Sequence, residues 1–320
     1  MKTLAALVLL LAAGSAAASY GERPEVKAFI RNMVERHGFV EDELSALFAR
    51  VERAEPVLQA ILPQAQVMPW RDYRAQFVND KRIAGGAEFW QAHRGALARA
   101  QKQFGVPPEI IVAIIGVETR YGRNTGRWRV VDALTTLAFD YPPRASFFRN
   151  ELEHYLLLAR DNGFDVFEVR GSYAGAIGIP QFMPGSARAY AVDFDGDGTI
   201  DLRNSAVDAI GSVANFLRQH GWRRGAPVQI RARTSGEAWR SYVGGFEPKH
   251  ALAELVDAGV KPAAAPDVRV ALIDLGPERR LGLQNFYVLT RYNRSALYAA
   301  AVADLAEALR RNRAQKPAKE

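Results

Sequence analysis

Val106-Pro107-Pro108-Glu109-Ile110-Ile111-Val112-Ala113-Ile114-Ile115-Gly116-Val117-Glu118-Thr119-Arg120-Tyr121-Gly122 is the stretch around which the chain is organised. Proline lacks the amide proton that a first helical turn leaves unbonded, so Pro107 and Pro108 mark a helix start, and Gly122 marks its end. Nearly everything between them is apolar, which predicts a buried helix. On a 3.6-residue period Ile111, Ile114 and Ile115 share a face with Glu118, so one carboxyl points into hydrocarbon. An ionised carboxylate withdrawn from water either takes a charged partner or raises its pKa until it keeps its proton near neutrality. The second outcome makes a general acid. The first would tie Glu118 to Arg120, Arg123 or a more distant base.

The 320 residues, 48% hydrophobic and 24% charged, suit one large or two to three modest globular domains rather than a disordered chain. Lys2 precedes an apolar run over 4–13, and small residues then lead to Ala16-Ala17-Ala18. That order predicts a secretory signal peptide cleaved after Ala18. The run is short for a bilayer span, which needs about 20 residues. The chain has no cysteine, which removes disulfides, thiolate metal sites, thiol nucleophiles and the lipid-bearing cysteine of a bacterial lipoprotein. The expectation is an exported, soluble protein without a membrane anchor, periplasmic in a two-membrane bacterium. A net charge of +7 and a pI near 9.6 suit a polyanionic partner. In an exported chain with no lysine-rich arm, an acidic wall polymer or membrane surface fits better than nucleic acid.

Helical patterning fills most of the sequence. Two amphipathic helices are expected over 25–60, an irregular proline-containing connection over 62–74, and one helix over 86–104. After Val130 come the apolar positions Val131, Leu134 and Leu137 and a turn at Tyr141-Pro142-Pro143, and further helices are expected over 145–161, over 207–220 and over 295–313. Between them, Gly171-Ser172-Tyr173-Ala174-Gly175-Ala176-Ile177-Gly178-Ile179-Pro180-Gln181-Phe182-Met183-Pro184 is dense in glycine and proline and reads as a compact cleft-lining loop. The character changes over 223–291, where 228–233, 268–272 and 286–289 read as strands. The class is therefore mainly α with a small β part. The polar tail from 314 is expected to be loose.

The strongest local motif is Asp193-Phe194-Asp195-Gly196-Asp197-Gly198-Thr199-Ile200-Asp201. Carboxylates at positions one, three and five, glycine at six and an apolar residue at eight form the front of an EF-hand calcium loop. Position twelve is Asn204 instead of glutamate, and Asp208 at the start of the next helix is the candidate replacement. The competing reading is an Asp/Gly turn with no ion, with a sodium-occupied site between the two. Tyr73, Tyr173, Gln181, Phe182, Tyr292 and Asn293 are residue types that line carbohydrate grooves, although each alone more often serves packing. The five histidines lack zinc-site spacing. Gly171-Ser172-Tyr173-Ala174-Gly175 lacks the central serine of a nucleophile elbow.

Taken together, Ile114 to Gly122, the loop from Gly171 to Met183, the Asp193 loop running on to Asn215, and Arg291-Tyr292-Asn293 resemble the lytic murein transglycosylase B family. The resemblance implies a lysozyme-like catalytic core at 106–222 within a helical chain. It places an N-terminal helical region at 19–105, a small antiparallel β domain at 223–291 and a C-terminal helix at 292–313 packing back on the helical region. It also implies cleavage of the β-1,4 bond between N-acetylmuramic acid and N-acetylglucosamine in peptidoglycan, leaving a 1,6-anhydromuramoyl end. The catalytic glutamate falls on Glu118. Substrate contacts fall on Tyr73, Arg144, Ser172, Gln181, Tyr292, Asn293 and Tyr298, with Pro143 replacing a second arginine of the family. The calcium ligands fall on Asp193, Asp195, Asp197, Thr199 through its backbone oxygen, and Asp208, in a loop one residue longer than in some relatives. Calcium, or sodium in its place, is expected as a structural ion, with no organic cofactor. Peptidoglycan glycan strands are the expected partner, with cell-wall synthesis or division proteins as further candidates.

A single acid suffices for such a reaction if the sugar's acetamide takes the part of the second carboxylate. The rival reading is a hydrolytic muramidase, which needs a second acid to activate water, with Asp132 and Asp140 as candidates. A rival from another class is a calcium-dependent wall-binding module without turnover, in which Glu118 is a structural ion-pair partner.

Overall fold

The structure, a computed structural model, describes residues 19–62, 68–265 and 267–315. The expected signal peptide at 1–18 and the last five residues of the expected tail lie outside the described residues. Helices α1 (Pro24–His37), α2 (Glu41–Arg50) and α3 (Glu55–Ile61) occupy the first segment. Three helices stand where the pattern suggested two. The chain between α2 and α3 leaves the helix to give Glu52 N to Asp132 Oδ1 at 3.1 Å and Ala54 N to Thr136 Oγ1 at 2.9 Å, and Pro56 then starts a new helix.

The 62–74 connection is not wholly irregular, because α4 (Trp70–Phe77) begins directly after Pro69. The single helix expected over 86–104 is two, α5 (Asp80–Ala92) and α6 (Arg94–Phe104). Asn79 caps the first by accepting from Arg82 N at 3.1 Å. The break falls at His93, whose ring packs on Phe89 at 4.5 Å between centroids.

The organising helix is α7 (Pro108–Thr119), and Ile111 through Ile115 are 0% exposed. A helix apolar on every side must be surrounded, and α5, α6 and two later helices pack around it. After it come β1 (Trp128–Arg129), α8 (Val130–Asp140), α9 (Ala145–Asn162) and β2 (Arg170–Gly171). β1 and β2 pair antiparallel, Trp128 opposite Gly171. Gly126 makes this closure possible: it sits at φ 106°, and a Cβ there would lie 2.0 Å from the Gly171 carbonyl. α10 (Pro184–Tyr190) and α11 (Ala206–Gln219) complete the helical body on either side of the acidic loop.

The β part comprises β3 (Gln229–Thr234), α12 (Leu252–Asp257), β4 (Val260–Pro262), β5 (Ala271–Asp274) and β6 (Arg279–Gly282), in sheet order β4-β3-β6-β5, all antiparallel. Alternation decides its packing. Val270, Leu272 and Leu281 close a small core with Trp239, Leu255 and Val260, while Ala271 and Ile273 face the large core of the helical body. The expected strand at 286–289 is instead part of α13 (Gln284–Tyr292). A short apolar run does not distinguish strand from buried helix, and here Asn285, Phe286, Val288 and Leu289 are all buried, more than one strand face could hide. α14 (Ala296–Gln315) closes the chain against α7, α4 and α5. It outlasts the sequence expectation by two residues.

Candidate active site

Glu118 is the penultimate residue of α7, and the helix stops there abruptly. Arg120 and Tyr121 take left-handed φ values of 53° and 63°, a conformation that residues other than glycine adopt only where their surroundings compel it. The helix therefore ends at Thr119, before Gly122. Four hydrogen bonds enforce the ending. Tyr121 Oη donates to Arg82 O at 2.7 Å, and the Arg82 guanidinium donates to Gly116 O. Thr119 Oγ1 donates to Ile179 O at 2.9 Å and accepts from Gly122 N at 2.9 Å. Thr119 was not singled out from sequence, although it joins the end of α7 to the glycine-rich loop. Its only signal was adjacency to the acid.

The ion-pair reading of Glu118 is not what the structure shows. No salt bridge to Arg120, Arg123 or any other cation is formed by Glu118 among the described residues. Its partner is Tyr298 of α14, whose Oη donates to Glu118 Oε1 at 2.6 Å. The glutamate keeps part of its surface open to solvent while its carboxyl is closely enclosed. Burial pushes its pKa from 4.5 up to about 7, and the Tyr298 hydrogen bond opposes that rise. Such a group holds its proton for much of the time at neutrality and releases it at little cost.

Around it stand tyrosines from three helices. Tyr298 is 2% exposed, and its ring lies parallel to that of Tyr292 at 6.4 Å and 10°. Tyr292 Oη donates to Pro180 O, fastening α13 to the glycine-rich loop. Tyr73, half-buried on α4, is close enough to feel the Glu118 charge, and burial with that charge pushes its pKa up to about 12. Asn293 follows at the exposed end of α13.

Across the loop, Gln181 sits at φ 52° and gives both amide protons to carbonyls, Thr125 O and Gly178 O, each at 2.9 Å. Two carbonyl partners require the nitrogen on that side, so Oε1 is the free group and acts as an acceptor. Ser172 Oγ accepts from Ala174 N at 3.2 Å and Ala176 N at 3.0 Å, so its remaining capacity is as a donor. Arg144 stands apart. It is exposed, its guanidinium lies 4.2 Å over the Phe147 ring, and none of its contacts reaches Glu118.

Asp132 and Asp140, the candidates for a second acid, are committed elsewhere. Asp132 receives Arg129 and Glu52 N. Asp140 receives Tyr20 Oη at 2.6 Å, Arg23 at 2.7 Å and Arg53 at 3.1 Å. These donors outweigh burial and hold the Asp140 carboxyl below its usual pKa.

The acidic loop brings Asp193, Asp195 and Asp197 together, one carboxylate oxygen of each lying within 4.8 Å of the others. Three like charges that close repel, so the donor set suits a hard cation. Gly196 supplies the left-handed turn at φ 83°, and its N and Gly198 N both donate to Asp193, at 2.7 and 2.8 Å. Asp208 is outside this cluster. It is 1% exposed and accepts from Phe194 N at 2.7 Å and Asp201 N at 2.9 Å, clamping both limbs of the loop to α11. Beyond the loop, Leu202 O accepts from Ile179 N at 2.8 Å, so the loop and Glu118 are linked through Ile179 and Thr119.

The family model described as Transglycosylase SLT domain matches residues 21–307. The membrane-bound lytic murein transglycosylase B of Escherichia coli (strain K12) is 42% identical over 312 residues, spanning 92% of this chain and 85% of that protein. Among solved structures, the soluble lytic transglycosylase SltB1 from Pseudomonas aeruginosa is 50% identical, with 91% of this chain and all of that one covered at a TM-score of 0.85. The Escherichia coli lytic transglycosylase SLT35 in complex with calcium is 42% identical over 92% of this chain and 95% of that one, with a TM-score of 0.84.

Proposed function

We propose a mechanism from the premise that the chain belongs to the SLT-domain transglycosylase family and is a lytic transglycosylase acting on peptidoglycan. One observation supports the reading most directly: Glu118, the acid at the end of a buried helix, is bonded by Tyr298 Oη and raised to about pKa 7.

With Oε1 held by Tyr298, the other carboxyl oxygen carries the proton. Glu118 gives it to the glycosidic oxygen between N-acetylmuramic acid and N-acetylglucosamine as the bond from C1 to that oxygen breaks. The acetamide carbonyl oxygen of muramic acid closes on C1 as it departs. Ionised Glu118 then takes the proton from the C6 hydroxyl, O6 attacks C1 and the acetamide leaves. The acid is restored, the product carries a 1,6-anhydro ring, and no water is consumed. Ser172 donates to the glycan, Gln181 Oε1 accepts from a hydroxyl or acetamide N–H, and Tyr73, Tyr292 and Asn293 line the sugar's path. Arg144 meets the strand farther out. The commitment of Asp132 and Asp140 to arginines supports this course over hydrolysis.

Digestion of purified sacculi in ¹⁸O-water tests the course. The expected fragments are lighter by one water than hydrolytic ones and carry no label at the cut end. Labelled reducing ends would establish a muramidase instead.

Asp193, Asp195 and Asp197 would hold calcium, with Thr199 through its backbone oxygen. Asp208, which the resemblance includes among the ligands, is assigned the role of clamp. The ion would be structural. It would quench the carboxylate repulsion and so stiffen the loop that ends at Leu202. At a calcium concentration one hundred times its Kd, the ion is expected to stabilise the fold by about 2.7 kcal/mol. Thermal unfolding of metal-free protein should therefore shift upward on adding calcium, and Asp197→Ala should abolish the shift; an unchanged Tm at millimolar calcium in the parent chain would remove the site. Among the described residues no helix is long and apolar enough to cross a membrane. The expected place of action is the periplasm, where the substrate lies.

A further inference from the structure

Asp304 stands in α14 within Ala-Val-Ala-Asp-Leu-Ala and is 5% exposed. Donors from three other elements meet it. Arg74 of α4 gives Nε to Oδ2 at 2.7 Å, Arg280 of β6 binds both oxygens with one limb at 3.1 Å, and Gln229 of β3 gives Nε2 to Oδ1 at 3.2 Å. Arg280 is itself 1% exposed, lies under the Trp70 ring at 5.0 Å, and reaches Glu278 at 2.7 Å.

A buried ionic cluster contributes little net stability, because desolvating its charges offsets most of their attraction, and packed hydrocarbon of the same volume often does better. What such a cluster supplies is direction: each bidentate or charge-assisted bond adds geometric specificity to the way one element sits against another. The elements fixed here are the ones that carry the tyrosines. Arg74 is the residue after Tyr73 on α4. Asp304 lies less than two turns beyond Tyr298 on α14.

We propose that the Arg74–Asp304–Arg280 cluster positions the catalytic centre: by locking α4 and β6 onto α14, Asp304 holds Tyr298 and Tyr73 in place against Glu118. The inference rests on Glu118 being the acid and base. The cluster touches neither Glu118 nor its bonded tyrosine, so it acts only through helix placement. The titratable and charged groups facing Glu118 are Tyr73 from α4, Tyr292 from α13 and Tyr298 from α14; Arg82 of α5, near the same helix end, is spent on Gly116 O.

The deciding variant is Arg74→Met. Arg74 is 38% exposed, so its loss leaves Asp304 paired with Arg280 and the core closed. A loosened contact between α4 and α14 should lower kcat about fivefold with KM little changed, because the hydrogen bond from Tyr298 to Glu118 acts in the chemical step and is here partly lost. The alkaline limb of kcat/KM should move up by about half a pH unit as the bond that lowers the Glu118 pKa weakens. Arg74→Lys should recover most of both. Asp304→Asn should show the same signature more strongly if it folds, and Arg74→Met decides the matter if it does not. A lower Tm for Arg74→Met with kcat and the pH limb unmoved would overturn the proposal and leave the cluster purely structural. Glu118→Gln run beside it separates the two readings: if that variant stays active, the Glu118 assignment fails, whereas an inactive Glu118→Gln with an unaffected Arg74→Met sinks the positioning role alone.

Discussion

Glu118→Gln should release muropeptides from sacculi at least about 10³-fold more slowly than the parent chain, because the amide can neither give a proton to the leaving oxygen nor take one from the C6 hydroxyl. Both halves of the reaction pass through this one group, so nothing else compensates. The variant should nevertheless be more stable than the parent at alkaline pH. The folded pKa of Glu118, about 7, lies above the ordinary 4.5. The folded chain therefore binds more protons than the unfolded chain between those values, and stability falls as pH rises through that window. Below about pH 4.5 the carboxyl is protonated in both states and costs nothing. Above 7 the full cost is present, on the order of 3 kcal/mol. Glutamine is neutral throughout and escapes it. Equilibrium unfolding of both proteins at pH 5 and pH 8 should thus show a gap that opens with pH. An inactive variant with no such gap would mean that Glu118 is not held protonated by burial.

Tyr298→Phe is the second large effect. Removing a hydrogen bond to a group that must carry charge during turnover costs about 1.5–3 kcal/mol, or roughly a ten- to hundredfold loss in rate. The pH profile carries the sharper information. The enzyme must begin with Glu118 protonated, so kcat/KM should fall as pH rises past about 7. The Tyr298 hydroxyl lowers that pKa, so its removal should carry the falling limb to higher pH while the maximum drops. A variant whose limb stays where it was would show that Tyr298 positions the sugar rather than the acid. Substituting Tyr292 should not move the limb in the same way, because its hydroxyl is committed to Pro180 O.

The helical body was legible wherever periodicity and punctuation agreed. α7 opens at Pro108 because tandem prolines can only stand at a start, and α9 ends at Gly163, which takes the left-handed φ of 67°. A local signal with two meanings does not decide an element. Phe286-Tyr287-Val288-Leu289 suits either a strand or a buried helix. Only burial on more than one side, against the helical body, makes it α13. His93 carries no signal that would break α5 from α6. Asp304 repeats the pattern of Glu118, an acid alone among apolar residues, but the alanines around it are a weaker sign of burial than isoleucines.

From the sequence alone came the chemistry at each point: an acid forced into hydrocarbon, a loop of carboxylates spaced for a cation, and a glycine-rich segment too compact for helix or strand. These follow from residue type and spacing within a few turns of chain, where period and turn preference act directly. The tertiary structure decided who meets whom. That Glu118 answers to Tyr298, 180 residues away, rather than to Arg120 or Arg123 beside it, depends on α14 returning across α7. That Asp208 clamps backbone amides rather than joining the three clustered carboxylates depends on where α11 sits. The physical reason is the same in both cases. A buried charge is settled by whatever donor the packing brings within 3 Å, and packing is a property of the whole core that no short stretch contains.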